Sequence, residues 1–449
     1  MRGDGTVAAP IDYAYGLVLV RYRWLVLATS IVVVVVAAMG MGRLTSNPDS
    51  RVFFSKDNPQ MQALDQFENT YSKNDNLMYV IAPKSGDVFS AKTLDGIRWL
   101  TEESWKTPYS SRVGSITNFQ YSHANGDDLV VEDMWPGSEA AAEAGEDLVE
   151  RARRIVLDRP TLVNNIIDPE GKVTAVSVLV ITPGESLDEV PSIAMFARER
   201  AAEFGERYPD IDLYMTGGVM IDMAFSEVPE ADVLTLFPIM ILLVLVVIGI
   251  AVRSVLWTLL TLFSVIFSVF TTLGLAGWAG VVMNAGTMGS PIIILTLAIA
   301  HGVHIMVTAK QGLHKGFDKH AAIVESMRVN MAPVFITSVT TAIGFLSMNF
   351  SDAPPFHLLG NLVATGVMVA FVLSVTLLPA AMAVLPAPKG QGETLGSRAM
   401  ARFADFVIGH RGWLLWASGA VIVALGIGTT QINLDDDFIK YFDERYPIR

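Results

Sequence analysis

Two imidazoles lie where a chain tolerates them least. The run PIIILTLAIAHGVHIM, residues 291–306, carries His301 and His304 in an otherwise apolar stretch, and no Asp or Glu occurs between Asp232 and Asp318. Three residues apart, the pair would share one face of a helix, and ionisable groups at membrane depth face a bundle interior or a wet cavity. Imidazole exchanges a proton near neutral pH, so one reading is a proton relay or a gating element. The other is a pair of neutral histidines hydrogen-bonded to a neighbouring helix. A second cluster stands in TSVTTAIGFLSM, residues 337–348, where Thr337, Ser338, Thr340 and Thr341 occupy one turn. Small hydroxyl residues serve as packing glue between membrane helices, and nearness to the histidines would draw them into the chemistry. His301, His304, Thr340 and Thr341 are the primary candidates, with Thr337 and Ser338 secondary.

Other chemistries find no support. There is no G-x-x-x-x-G-K-[ST] phosphate loop; the nearest lysine context, Glu170-Gly171-Lys172-Val173, lacks the first glycine and the hydroxyl residue. ATP is thus not expected as the energy source, and no cofactor is called for. Neither H-E-x-x-H nor G-x-S-x-G occurs, and metal ligands are not clustered, so no catalytic residues are assigned and no enzyme is expected. An acidic chain of net charge −13 also argues against a nucleic-acid partner.

The elements that must position the histidines are membrane helices. The 449 residues are 51% hydrophobic and only 17% charged. Seven nearly charge-free stretches can each cross about 30 Å of hydrocarbon, near 24–42, 233–252, 255–280, 291–309, 333–350, 357–385 and 413–430. The first is long enough to be a retained signal anchor rather than a cleaved leader. Between Leu44 and Asp232 there are 33 Asp and Glu against 16 Lys and Arg. The remainder is basic, and its basic residues fall in alternate loops: Arg21 and Arg23, Arg253, Lys310 to Arg328, and Lys389 to Arg411. By the positive-inside rule those loops are cytoplasmic, with the N-terminus inside and the large acidic loop outside. With no cysteine in the chain, that loop must fold without disulfides.

Within the acidic loop, residues 76–83 and 172–182 alternate like strands, 90–105 and 187–208 carry helical spacing, and 112–119 and 210–216 are extended again. The order β-α-β, β-α-β is the ferredoxin-like pattern, and the polar segment 136–168 between the units reads as helical. The end of the chain restarts its beginning: Arg21-Tyr-Arg-Trp-Leu opens the first span and His410-Arg-Gly-Trp-Leu the seventh, and Asp49, Phe53-Phe54 and Pro59 are matched by Asp437, Tyr441-Phe442 and Pro447. Parallel repeats of this kind are a transporter architecture. The chain therefore divides into a cytoplasmic N-terminus (1–23), a first span (24–42), an outer domain (43–232), a five-span bundle (233–385), a cytoplasmic linker (386–412), a seventh span (413–430) and the start of a second outer domain (431–449), where the repeat breaks off as in a truncated chain.

These motifs carry a resemblance. TSVTTAIGF resembles the S-x-T-T-x-x-G-F signature of resistance-nodulation-division (RND) exporters. Arg253-Ser254 is similar to their short cytoplasmic corner, and LAIAHGVHI resembles the fourth-span motif in which relatives place a relay aspartate before a histidine. As a whole the chain resembles the N-terminal half of an RND superfamily transporter of the MmpL-like and Patched-like branch. That resemblance implies a polytopic α-helical membrane protein of the bacterial inner membrane, with a sterol-sensing-like bundle and a periplasmic ferredoxin-like domain forming half of a porter. It further implies secondary active, proton-coupled export of hydrophobic or amphiphilic molecules, lipids foremost, across or out of that membrane. The expected partners are the lipid substrate, the bilayer, the missing C-terminal half, and a homo-oligomer or periplasmic protein. One departure is that Ala300 and His301 stand where proton-driven relatives have the aspartate, so a carboxylate relay does not carry over. His301 substitutes for it, the second half supplies the acid, or the protein is not proton-driven. The alternatives in function are a sterol- or lipid-binding sensor without transport, and a membrane anchor for an acidic interaction domain.

Overall fold

The computed structural model describes residues 11–71, 75–143, 147–388, 397–433 and 442–443. Residues 389–396 of the expected linker, and nearly all of the expected second outer domain beyond Asn433, lie outside the described residues. The chain forms two units: Met1–Thr45 with Pro229–Asp437, and Ser46–Val228 with Phe438–Arg449.

The chain opens with α1 (Ile11–Arg21) and α2 (Arg23–Ala38), the latter running on into a 3-10 turn, Met39–Arg43. The outer unit follows with α3 (Pro59–Thr70), β1 (Asp75–Pro83), α4 (Ala91–Ser104), β2 (Ser110–Gly114), β3 (Gln120–Asn125), β4 (Asp128–Asp133), α5 (Ser138–Glu143), α6 (Leu148–Leu157), β5 (Thr174–Val180), α7 (Glu189–Arg207) and β6 (Ile211–Thr216). Four strands form one antiparallel sheet in the order β2-β5-β1-β6, with Tyr79 opposite both Val176 and Met215. Alternation explains the arrangement. Leu77, Tyr79 and Ile81 of β1 are fully buried on one face, against Leu94, Ile97 and Leu100 of α4 and Ile193, Ala197 and Phe204 of α7. Ser90 caps α4 by accepting from the Thr93 N–H at 3.2 Å.

The polar segment 136–168 holds α5 and α6 among its described residues, helical as its composition suggests, and turns follow α6. One difference from the sequence reading stands out. The hairpin β3/β4 was not expected, although its two-residue loop, Gly126-Asp127 with Gly126 at φ 64°, is a hairpin signal. Beyond β6, Gly217 sits at φ 105° with the position of a Cβ only 2.6 Å from the Asn76 carbonyl oxygen, so no side chain fits where the sheet hands over to the next helix.

An ion-pair cluster ties α4 to α7. The hydrogen bond from Lys106 (2.6 Å), supplemented by Arg200 (3.5 Å), holds the Glu103 carboxyl below its ordinary value of 4.5. A carboxyl depressed on folding stabilises the folded state above its unfolded value, and that contribution is lost as pH falls through the folded value. Glu103→Gln is therefore expected to lower the unfolding free energy at pH 7 by at most about 1 kcal/mol, with the difference shrinking as pH falls through the depressed folded value. Paired melts of the two proteins across pH check this.

The second unit is a helix bundle. It comprises α8 (Gly218–Val252, whose first turns belong to the outer unit), α9 (Val255–Trp278), α10 (Ser290–His314), α11 (Lys319–Leu346), α12 (Pro354–Val375), α13 (Leu377–Val384), α14 (Ser397–Gly409) and α15 (Arg411–Gly428). Among the described residues, seven helical segments are long and apolar enough to cross a membrane. Several overrun the expected spans. The 35 residues of α8 extend roughly 50 Å, well past the hydrocarbon thickness, because helix hydrogen bonding continues into polar sequence that a hydropathy reading cuts off.

The bundle core is built by α8 to α13, with Ile248, Trp257, Ile294, Ile305, Met306, Met327 and Val363 buried together. Helix α1 lies along α11, its Gly16 against the Val324 backbone, and Tyr15 donates to the Val375 carbonyl at 3.0 Å. Helix α2 and its 3-10 turn press backbone to backbone on α9. A methyl group at Gly274 would run into the Ala37 carbonyl, and one at Gly277 into that of Gly40. The Trp278 indole N–H donates to the Val36 carbonyl at 3.1 Å, and the Arg43 guanidinium lies 4.3 Å from the Trp278 ring centre. By contrast α15 buries no side chain.

Candidate functional site

On α10 the buried positions include Ile294, Leu295, Ala298, His301, Gly302, Ile305, Met306 and Ala309, a three-and-four spacing that defines one face, with Ser290, Lys310 and Gly312 buried towards the two ends. His301 lies on it, 4% exposed. His304 does not. At 100° per residue, three residues leave the two rings about 60° apart around the helix, the edge of the buried face falls between them, and His304 is exposed. The expectation that both imidazoles face the interior is thus corrected: only His301 does.

Its partner comes from α11, whose buried polar and small residues Ser326, Asn330, Ser338 and Ala342 share a stripe with Val334 at intervals of four. The Ser338 hydroxyl donates to the Val334 carbonyl at 2.7 Å and lies 3.2 Å from His301 Nε2. Since a hydroxyl has one proton, Ser338 accepts from the imidazole, which places the ring proton of a neutral His301 on Nε2. Nδ1 is then a bare acceptor, buried and without a hydrogen-bond partner among the described residues.

The remaining hydroxyl candidates are not brought to it. Thr337 is exposed and bonds back to the Pro333 carbonyl (2.9 Å), and Thr340 is exposed and bonds to those of Ile336 and Thr337 (2.9 and 3.0 Å). Thr341 is half-buried. Of the six candidate residues the structure joins His301 to Ser338 alone.

Sequence reasoning missed the rest of the seam. Ser326 donates to the Ile305 carbonyl at 2.6 Å, and Asn330 donates to the Ser326 carbonyl at 2.9 Å, tying α11 to the turn of α10 that follows His301. From the other side comes α9, with Thr258, Thr261, Ser264, Ser268, Thr271 and Thr272 buried. Thr261 seats against Gly302, where a Cβ would lie 2.5 Å from its methyl, and reaches the Met306 sulfur at 2.8 Å. The hydroxyls of Ser268 and Thr272 are spent on carbonyls of their own helix, while those of Thr258 and Thr271 have no partner among the described residues. The signal was present: hydroxyls three and four apart in TLLTLFSVIFSVFTTL mark one polar stripe on an apolar helix. Among the described residues no three His, Cys, Asp or Glu converge as a metal site would need.

Apolar helices of this length, closed around a polar seam that holds a single buried imidazole, define a multi-pass membrane protein. Residues 53–422 match the MMPL family, which is most of the chain, and the protein belongs to that family. It is similar to the hopanoid transporter HpnN of Rhodopseudomonas palustris, 26% identical over 160 residues, which is 36% of this chain and 17% of that protein. It is also similar to the putative membrane protein MJ1562 of Methanocaldococcus jannaschii, 25% identical over 170 residues, 38% of this chain and 37% of that protein. The chain thus aligns with well under two thirds of the length of either relative.

Proposed function

We propose that this chain works in a proton-coupled exporter of hydrophobic or amphiphilic molecules, lipids foremost, in a bacterial inner membrane, with His301 as the group that takes up and releases the coupling proton. The observation that carries this reading is the state of the buried ring. One nitrogen is bonded to Ser338 and the other is an unpartnered acceptor, in a bundle stretch without a carboxylate. A proton arriving at Nδ1 creates a buried cation, which the bundle answers by rearranging or by opening to water. A coupling ion can only bias two arrangements by binding one better than the other.

Family membership and the relative named as a hopanoid transporter support a lipid-like cargo. The strand order β2-β5-β1-β6 supports reading the outer unit as a ferredoxin-like porter domain, and the alternation of basic loops supports placing it in the periplasm. Thr296, His304, Thr337 and Thr340 all lie on exposed positions of α10 and α11. Polar groups facing hydrocarbon call for a packing neighbour. The test is flux of a labelled apolar lipid from liposomes holding the intact protein. Export should collapse when the proton gradient is dissipated. Saturable lipid binding with no protein-dependent flux in either condition replaces the exporter by a lipid sensor.

A further inference from the structure

A cavity of about 830 Å³ opens at the end of the bundle where α1 meets the α10–α11 turn, far along α10 from His301 and serving no step proposed above. Four basic residues line it: Arg21, Arg23, Lys319 and His320. Its two acids are already engaged. Both carboxylate oxygens of Glu325 are taken by Arg328, at 2.6 and 2.7 Å, and Asp318 accepts from the Ala321 N–H at 2.9 Å as the cap of α11. Among the described residues the cations find no carboxylate in return. Arg21 lies over the Tyr22 ring, Arg23 reaches only the Val20 carbonyl at 3.3 Å, and Lys319 only that of Leu385 at 3.1 Å. His320 adds a buried ring nitrogen, Nε2, with no hydrogen-bond partner among the described residues. The remaining wall is apolar, with Leu17, Val20, Phe317 and Val324.

Position decides the ligand class. Arg21 stands just before, and Arg23 at the start of, the first helix long and apolar enough to cross a membrane, which puts the cavity at headgroup level. Excess positive charge beside an apolar wall at that depth suits a phosphate joined to acyl chains, since basic pockets between helices at the membrane edge hold anionic headgroups. The guanidinium fork matches phosphate oxygens in pairs. The close seat of Gly16 on Val324 fixes the spacing of α1 and α11 that leaves the cavity open.

We propose that this cavity binds the headgroup of an anionic phospholipid, with Arg21 and Arg23 on the phosphate, Lys319 and His320 behind it, and the first acyl carbons along Leu17 and Phe317. The test is retention of phosphatidylglycerol against phosphatidylcholine by the purified full chain, read by native mass spectrometry across a lipid titration. Phosphatidylglycerol should bind saturably and more tightly. Arg21→Ala with Arg23→Ala should weaken it by about fivefold per arginine removed, while Arg21→Lys with Arg23→Lys stays near wild type. Ala321→Trp, at an exposed position of the cavity wall, fills the cavity, leaves every charge in place and spares the Gly16–Val324 seat, so it should abolish binding without unseating α1. Equal retention of the two lipids, or unchanged binding in either Ala321→Trp or the double alanine variant, overturns the proposal. So does displacement of the lipid by millimolar inorganic phosphate, which would make a soluble phosphate compound the ligand.

Discussion

His301→Gln is expected to cut gradient-driven lipid export by roughly a hundredfold, the order lost when a positioned proton acceptor is removed, while His304→Gln stays within a few-fold of the parent protein. The asymmetry follows from burial. His301 is enclosed and bonded to Ser338, whereas His304 is exposed three residues on. Glutamine keeps the size and a donor for Ser338 but cannot take up the proton, so the bundle should still fold and bind lipid. Ser338→Ala provides the companion measurement. It keeps the imidazole and deprives Nε2–H of its acceptor, at about 1–3 kcal/mol for a buried donor left unsatisfied, and should give an intermediate loss of flux. Flux measured across external pH in liposomes distinguishes these variants. Undiminished, still pH-sensitive export in His301→Gln removes the histidine from the mechanism.

The largest effect on stability is expected from Gly274→Leu. At Gly274 and Gly277 helix α9 meets the backbone of Ala37 and Gly40 without room for a methyl group. Between membrane helices such contact between small residues replaces the hydrophobic drive available in water. A leucine there forces α2 off α9 and strips the Trp278 indole from the Val36 carbonyl. Overpacking costs typically 1–3 kcal/mol, and about 3 kcal/mol is expected here because backbone rather than side chain is displaced. Gly249→Leu is the control, since nothing lies within 4 Å of its Cβ position. Thermal melts of the purified proteins in one detergent should show a large drop for Gly274→Leu and none for Gly249→Leu.

How much of this was legible beforehand differs by level. Membrane helices announce themselves by length and hydropathy, and β1, α4, β5, α7 and β6 by their periodicity, because burial on one face leaves a repeat in the residue types. Their ends do not, since α8 and α11 continue as helix through residues whose polarity suits water equally well. The site was half legible. The oddity of His301 in an apolar run could be read directly, and so could a hydroxyl cluster on the next helix. Which hydroxyl reaches it depends on the rotation of α11 about its axis. That rotation is set by the Ser326 hydrogen bond to the Ile305 carbonyl of α10 and by Ile323 and Met327 packing in the shared core, a relation between helices that no single stretch encodes. Ser338 rather than Thr340 or Thr341 meets the ring for that reason.

Helix α8 carries prolines at 229 and 238. Without an N–H, Pro238 cannot close the turn to the Leu234 carbonyl, and its ring pushes that oxygen aside. The rod is weakest there, within a stretch whose Leu234, Leu236 and Ile239 are exposed. A bundle that shifts with its proton load would therefore flex α8 about this joint instead of sliding it whole, and a greasy molecule lying against it would feel the motion as a change in the contour of the wall.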